Sequence, residues 1–145
     1  MSDDSQPLSE FKSKSGLKRV LSAFFYSIDG LRTAWRYEHA FRQELVIAVP
    51  GVIVALLIPI TALERVILIG VLLLVLIVEL LNSAIEAAVD RVSLERNPLS
   101  KNAKDLGSAA VMLSMLMAAV AWMLIVLPLI DRKSTRLNSS HGYIS

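Results

Sequence analysis

The sequence contains no cysteine and only two histidines among 145 residues. Without thiols there is no disulfide framework, no thiolate metal site and no cysteine nucleophile, and the chain carries no mark of its redox compartment. The histidines, His39 and His141, lie far apart and form no metal-ligand spacing; His39 reads as an interfacial side chain. The six glycines are scattered. No Walker-type GxxxxGK loop, kinase glycine loop or GxGxxG is present, so phosphate is not cradled by a glycine-rich turn. Met1 to Glu10 is polar and acidic and lacks an apolar segment, so no cleavable signal peptide is expected. Charge is sparse, with 19% charged residues and a net charge of +2.

What fills the chain instead is apolar. Hydrophobic residues make up 54% of the sequence and the mean hydropathy is +0.58, which points to a membrane protein. The basic residues Lys12, Lys14, Lys18, Arg19, Arg32 and Arg36 precede the first long apolar run. They suit an anionic lipid surface, and no nucleic-acid partner is expected.

Residues 1–15 are polar and read as a flexible lead. From Leu17 the apolar positions Val20, Leu21, Phe24, Phe25, Ile28, Leu31 and Trp35 recur at helical spacing against a charged face. This predicts an amphipathic surface helix over 16–36, with Trp35 and Tyr37 at headgroup depth and Gly30 at a bend or close contact. Three transmembrane helices are then predicted over 38–60, 63–90 and 104–130, with Pro50 a kink, Pro59 an end and Pro98 a helix breaker. Lysines and arginines cluster before the first span and between the second and third, which puts those sides in the cytoplasm. The whole of 16–130 reads as one membrane domain. The segment 131–145 breaks this charge pattern, resembles translated sequencing-adaptor sequence, and is read as a non-native tail without a role.

The second span carries the chemistry. At about 100° per residue, Glu79, Asn82, Glu86 and Asp90 fall at roughly 0°, 300°, 340° and 20°, one polar stripe on an otherwise apolar helix. Interhelical hydrogen bonding accounts for Asn82 and Ser83 as well as a functional role does. The glutamates weigh otherwise, because an acid near a membrane helix centre costs on the order of 3 kcal/mol and marks an ion, proton or substrate site. Glu79 lies about 10 Å deeper along the axis than Glu86, so it suits a general base toward an alcohol presented from the bilayer. Glu38, Glu86 and Asp90 lie near the interface, where Mg²⁺ needs only one or two carboxylates plus phosphate oxygens. Lys104 and Asp105 read equally as a phosphate-binding pair or as a solvated charge pair at a helix start.

From about Gly16 to Leu127 the chain resembles the bacterial integral-membrane diacylglycerol kinase family. The resemblance rests on Gly30 to Trp35, on Glu38 to Glu44, on Ile77 to Arg91 and on Ala103 to Val111, the last two being highly specific. It implies a homotrimer of three-span subunits in the bacterial inner membrane, with the active site facing the cytoplasm, transferring the γ-phosphate of ATP to diacylglycerol. By the resemblance Glu79 is the base and Glu38 and Glu86 hold Mg²⁺. Arg19, Tyr26, Asn82, Lys104 and Asp105, with the loop residues Glu95, Arg96 and Asn97, lie around the nucleotide alongside Glu38 and Glu86. Lipid contacts are implied for Arg19, Ala23, Ser27, Arg32, Trp35, Phe41, Arg42, Glu44, Glu79, Ser108 and Trp122. A related branch phosphorylates undecaprenol, and Phe41 to Glu44 resembles the diacylglycerol branch more. The residues by themselves also admit a non-enzymatic, proton- or ion-conducting membrane oligomer with Glu79 as a relay.

Overall fold

The computed structural model describes the backbone of residues 16–92 and 97–141 and the side chains of 16–92 and 97–131. The lead 1–15 and the loop residues Glu95 and Arg96 lie outside the described residues. Among those described, the fold is all-helical: α1 (Gly16–Tyr37), α2 (His39–Leu57), α3 (Ala62–Val92) and α4 (Pro98–His141). The chain divides into two compact units, the first ending at Tyr37 and the second beginning at Glu38.

The first unit contains α1. Within it the Ser27 hydroxyl donates to the Ala23 carbonyl at 2.9 Å and Arg32 pairs with Asp29 at 3.3 Å. The helix is continuous through Gly30.

In the second unit α2 packs on α3 and α3 on α4. Three helices here are long and apolar enough to cross a membrane. Their large apolar side chains mostly face outward, Ile47, Leu73, Ile77, Leu113, Leu116 and Leu124 among them. On α2 and α4 the buried positions are mainly small, Ala48 and Ala55 on the first and Gly107, Ser114 and Ala118 on the second, while α3 buries Leu68, Val75, Glu79 and Asn82 between them. Where outward faces meet lipid tails as apolar as themselves, helices associate by close backbone approach, and small residues permit it.

The helix ends correct the sequence reading. The first span stops at Leu57 instead of 60, because Ile58 precedes Pro59 and takes extended φ/ψ of −74° and 149°. Thr61 and Glu64 then form a reciprocal cap. The Thr61 backbone N–H and hydroxyl donate to Glu64 Oε2 at 2.8 Å each, and the Glu64 N–H donates to the Thr61 hydroxyl at 3.2 Å. Arg65 reaches back to the end of α2, donating from Nε to the Ala55 carbonyl at 3.0 Å and from Nη2 to the Ile58 carbonyl at 3.3 Å. It satisfies acceptors that the helix leaves unpaired.

The third span begins at Pro98, six residues before the predicted start at Lys104. A first helical turn has no use for an N–H at that position, so Pro98 opens a helix and does not break one. Asn97 caps it, its Oδ1 accepting from the Leu99 N–H at 2.8 Å. At the far end the helix continues past Ile130 to His141, through a segment with neither proline nor glycine to stop it.

Candidate active site

Burial on α3 recurs at Leu68, Val75, Glu79 and Asn82, with Glu86 half-buried in the same register. One helix face therefore begins as a packing stripe and turns into the polar stripe. Glu79 is 4% exposed and Asn82 9%. At 1.5 Å per residue α3 runs roughly 46 Å, well beyond the ~30 Å hydrocarbon layer. With the Thr61 turn at one membrane surface, about 20 residues bring the chain to Leu81. Counted along the helix, Glu79 falls near the end of such an apolar span, and Glu86 and Asp90 lie past it.

Facing α3, α2 buries Phe41, Ala48 and Ala55 seven residues apart, and the same face carries the half-buried Glu44. Glu44 lies within electrostatic reach of Glu79, and Glu79 within reach of Glu86 and Glu38. Four carboxylates thus share one end of the bundle. Glu38 is the N-cap residue of α2, with φ −99° and ψ 110°, yet its side chain makes no capping hydrogen bond.

The Asn82 side chain donates from Nδ2 to Glu86 Oε1 at 3.3 Å. A carboxylate only accepts, so the amide nitrogen must face Glu86 and the amide oxygen must face away. That oxygen is buried without a hydrogen-bond partner among the described residues. On α4, Lys104 reaches across to α3 and donates to Asp90 Oδ1 at 2.5 Å, while Asp105 accepts from Lys101 at 2.6 Å. Lys104 and Asp105 are therefore not a pair with each other. Adjacent residues on a helix point about 100° apart, and each finds its own partner.

Beginning at Glu44, α2, α3 and α4 line an open groove of about 340 Å³, walled by Gly51, Leu72, Met115, Trp122 and apolar neighbours. Two polar atoms in this apolar lining are buried and unpaired among the described residues, Glu44 Oε2 and Trp122 Nε1. An acceptor and a donor at separate points of an oil-like groove suit an amphiphile with a polar head and an apolar body.

The structure thus brings Glu38, Glu44, Glu79, Asn82, Glu86 and Lys104 to one end of the second unit, with Asp105 exposed beside them. Phe41 is buried, Arg42 half-buried and Ser108 exposed. Arg19, Ala23, Tyr26, Ser27, Arg32 and Trp35 all belong to α1 and are exposed. Sequence reasoning assigns no role to Gly107, Gly51 or Ser114. Ser114 is buried, with its hydroxyl donating to the Val111 carbonyl at 2.7 Å. The available signal is their spacing: Gly107 and Ser114 stand seven residues apart, as do Ala48 and Ala55.

No three His, Cys, Asp or Glu side chains among the described residues stand together as a metal site on their own. Mg²⁺ does not require one, since it keeps several waters and takes phosphate oxygens as ligands. The uncapped Glu38 and the half-buried Glu86 fit that donor set.

Comparison with known proteins places the chain in a family. The family model for prokaryotic diacylglycerol kinase matches residues 25–126. The chain is 55% identical over 119 residues to the diacylglycerol kinase of Pseudomonas aeruginosa, covering 82% of this chain and 97% of that protein. It is 46% identical over 112 residues to the diacylglycerol kinase of Escherichia coli K12, covering 77% and 92%. With that of Helicobacter pylori J99 the identity is 40% over 118 residues, covering 79% and 92%. The matched region takes in α2, α3, the greater part of α4 and every one of the clustered acids, and the chain belongs to the prokaryotic diacylglycerol kinase family.

Proposed function

We propose that this protein phosphorylates diacylglycerol at the membrane surface, transferring the γ-phosphoryl group of ATP to the lipid hydroxyl to give phosphatidic acid and ADP. Family membership and the names of its relatives support the reaction. The observation that carries the mechanism is the burial of Glu79 among apolar helices, one turn from Asn82 and two from Glu86. A nucleotide held at the polar end and an alcohol held at the apolar end meet at that level.

The residues divide the work. Glu79 accepts the proton of the lipid hydroxyl as its oxygen bonds to the γ-phosphorus; the bond from that phosphorus to the β–γ bridging oxygen breaks and ADP leaves. Glu38 and Glu86 would hold Mg²⁺ against the nucleotide, where the ion neutralises charge on the phosphate oxygens. Lys104 supplies a further cation toward the phosphates, with Asp105, Asn82 and the loop Glu95, Arg96 and Asn97 around the nucleotide. Phe41, Arg42, Glu44, Ser108 and Trp122 orient the lipid, and the apolar groove receives its body. The family resemblance adds nucleotide contacts from Arg19 and Tyr26, and lipid contacts from Arg19, Ala23, Ser27, Arg32 and Trp35. The assembly is a homotrimer in the bacterial inner membrane, with α1 an amphipathic surface helix and the carboxylate cluster facing the cytoplasm.

The direct test is purified full-length protein in mixed micelles with Mg-ATP and either diacylglycerol or undecaprenol. Phosphatidic acid from the first lipid, with little product from the second, is the expected result. Product only from undecaprenol moves the assignment to the other branch, and no phosphorylated lipid from either defeats it.

A further inference from the structure

We infer that Gly107 is a positioning residue for the nucleotide end of the site, acting through Asn82 on Glu86. The inference rests on the proposed nucleotide and metal roles of Asn82 and Glu86. It starts from a collision that the present sequence avoids. A Cβ built on Gly107 would overlap Asn82 Oδ1 and stand 3.3 Å from Asn82 Cγ and 3.9 Å from Asn82 Cα. Gly107 is itself buried and has no positive φ. Glycine is therefore not required there by backbone conformation, since any residue adopts this helical geometry. It is required by what stands opposite.

The Asn82 amide is committed at both ends. Nδ2 donates to Glu86 Oε1, and a carboxylate offers no donor, so exchanging the amide's two ends would set oxygen against oxygen. Oδ1 must then point at α4, where it is buried with no hydrogen-bond partner among the described residues. The hydrogen that Gly107 carries in place of a Cβ is aimed at that oxygen, a Cα–H···O contact of the kind found where helices cross closely. Asn82 has little room to withdraw, being 9% exposed with its own Cα only 3.9 Å from where the Cβ would stand. A methyl group at 107 must rotate the amide or part the helices. Either movement removes the donor from Glu86 and leaves that carboxylate free to turn.

The consequence is specific: loss of the hydrogen at 107 should appear as loss of Mg-nucleotide affinity, not as loss of lipid binding. Three variants of the full chain test it: Gly107→Ala, Asn82→Ala, and both together. In mixed micelles Gly107→Ala is expected to raise KM for Mg-ATP at least tenfold while KM for diacylglycerol stays within twofold. Added to Asn82→Ala, where no amide remains to collide, it should change KM for Mg-ATP by less than twofold. Thermal unfolding in detergent reads the same coupling without catalysis. Gly107→Ala should lower Tm in the parent protein and lower it much less in the Asn82→Ala background. Should Gly107→Ala fail to fold, recovery of folding in the double variant supports the coupling and absence of recovery overturns it. Equal losses in both backgrounds, or a Gly107→Ala protein with unchanged Tm and kinetics, also overturn it. If the parent protein makes no phosphorylated lipid, the proposed function fails by itself and the Tm comparison still decides the steric coupling.

Discussion

Replacing Glu79 by glutamine removes a negative charge and the ability to accept a proton while keeping the shape of the side chain. Glu79 is almost wholly enclosed by helices and lies within reach of three other carboxylates, Glu38, Glu44 and Glu86. Two effects of opposite sign follow. A general base in this position contributes about 10²–10⁴-fold to the rate, so kcat should fall by that factor, a barrier increase of roughly 3–5 kcal/mol. Stability should not fall with it. One of four clustered like charges has gone, and an amide is less costly to bury than an unpaired carboxylate, whose enclosure costs several kcal/mol on the order of magnitude expected for buried ions. The assay is initial-rate phosphorylation of diacylglycerol in mixed micelles at varied Mg-ATP and varied lipid, beside thermal unfolding in the same detergent. The expected outcome is a kcat lower by at least two orders of magnitude (about 10²-fold), KM for Mg-ATP within about threefold of the parent, and Tm equal or higher. A kcat within tenfold of the parent would refute the base assignment, by the rate factor just given. A lowered Tm with matching losses in kcat and in nucleotide affinity would make Glu79 a structural residue.

Other substitutions probe separate parts of the molecule. Glu86→Ala should abolish Mg-ATP-dependent phosphorylation while membrane insertion stays normal, checked by membrane fractionation beside the kinase assay; near-normal turnover would remove Glu86 from the metal set. Arg65→Met deletes the two hydrogen bonds to the end of α2, each worth about 1.5–3 kcal/mol when one partner is charged. Tm should drop while kcat at 25 °C holds, because Arg65 stands at the turn, far from the acids. Gly51→Leu places a side chain where even a Cβ would sit 2.8 Å from Leu72 Cδ1 and 3.5 Å from Trp122 Cζ2. It should raise KM for diacylglycerol and leave KM for Mg-ATP unchanged, the reverse of the pattern expected at Gly107.

How much of this is legible beforehand differs from residue to residue. The stripe of Glu79, Asn82 and Glu86 is legible because helical periodicity is a property of one segment, and acids that interrupt a long apolar run are conspicuous. Arg65, Thr61 and Glu64 are visible only as a short turn with one acid and one base. Their hydrogen bonds depend on where α2 ends, and Ile58 and Pro59 end it earlier than the hydropathy does. Lys104 reads beside its neighbour Asp105, yet its partner is Asp90, fourteen residues away. Neighbours on a helix point about 100° apart, so adjacency in the chain does not make two side chains a pair.

The sequence by itself determined that this is a membrane protein, how many apolar helices it has, which helix carries the acids and on which face, because composition and spacing act locally along one chain. Only the packing of α2, α3 and α4 decided that Glu44 joins that face, that Lys104 pairs with Asp90, and that Gly107 meets Asn82 where a side chain has no room. Those facts arise where separate helices approach within the length of a single side chain. There the outcome turns on shape and on which donors find acceptors, and periodicity within one segment holds no record of either.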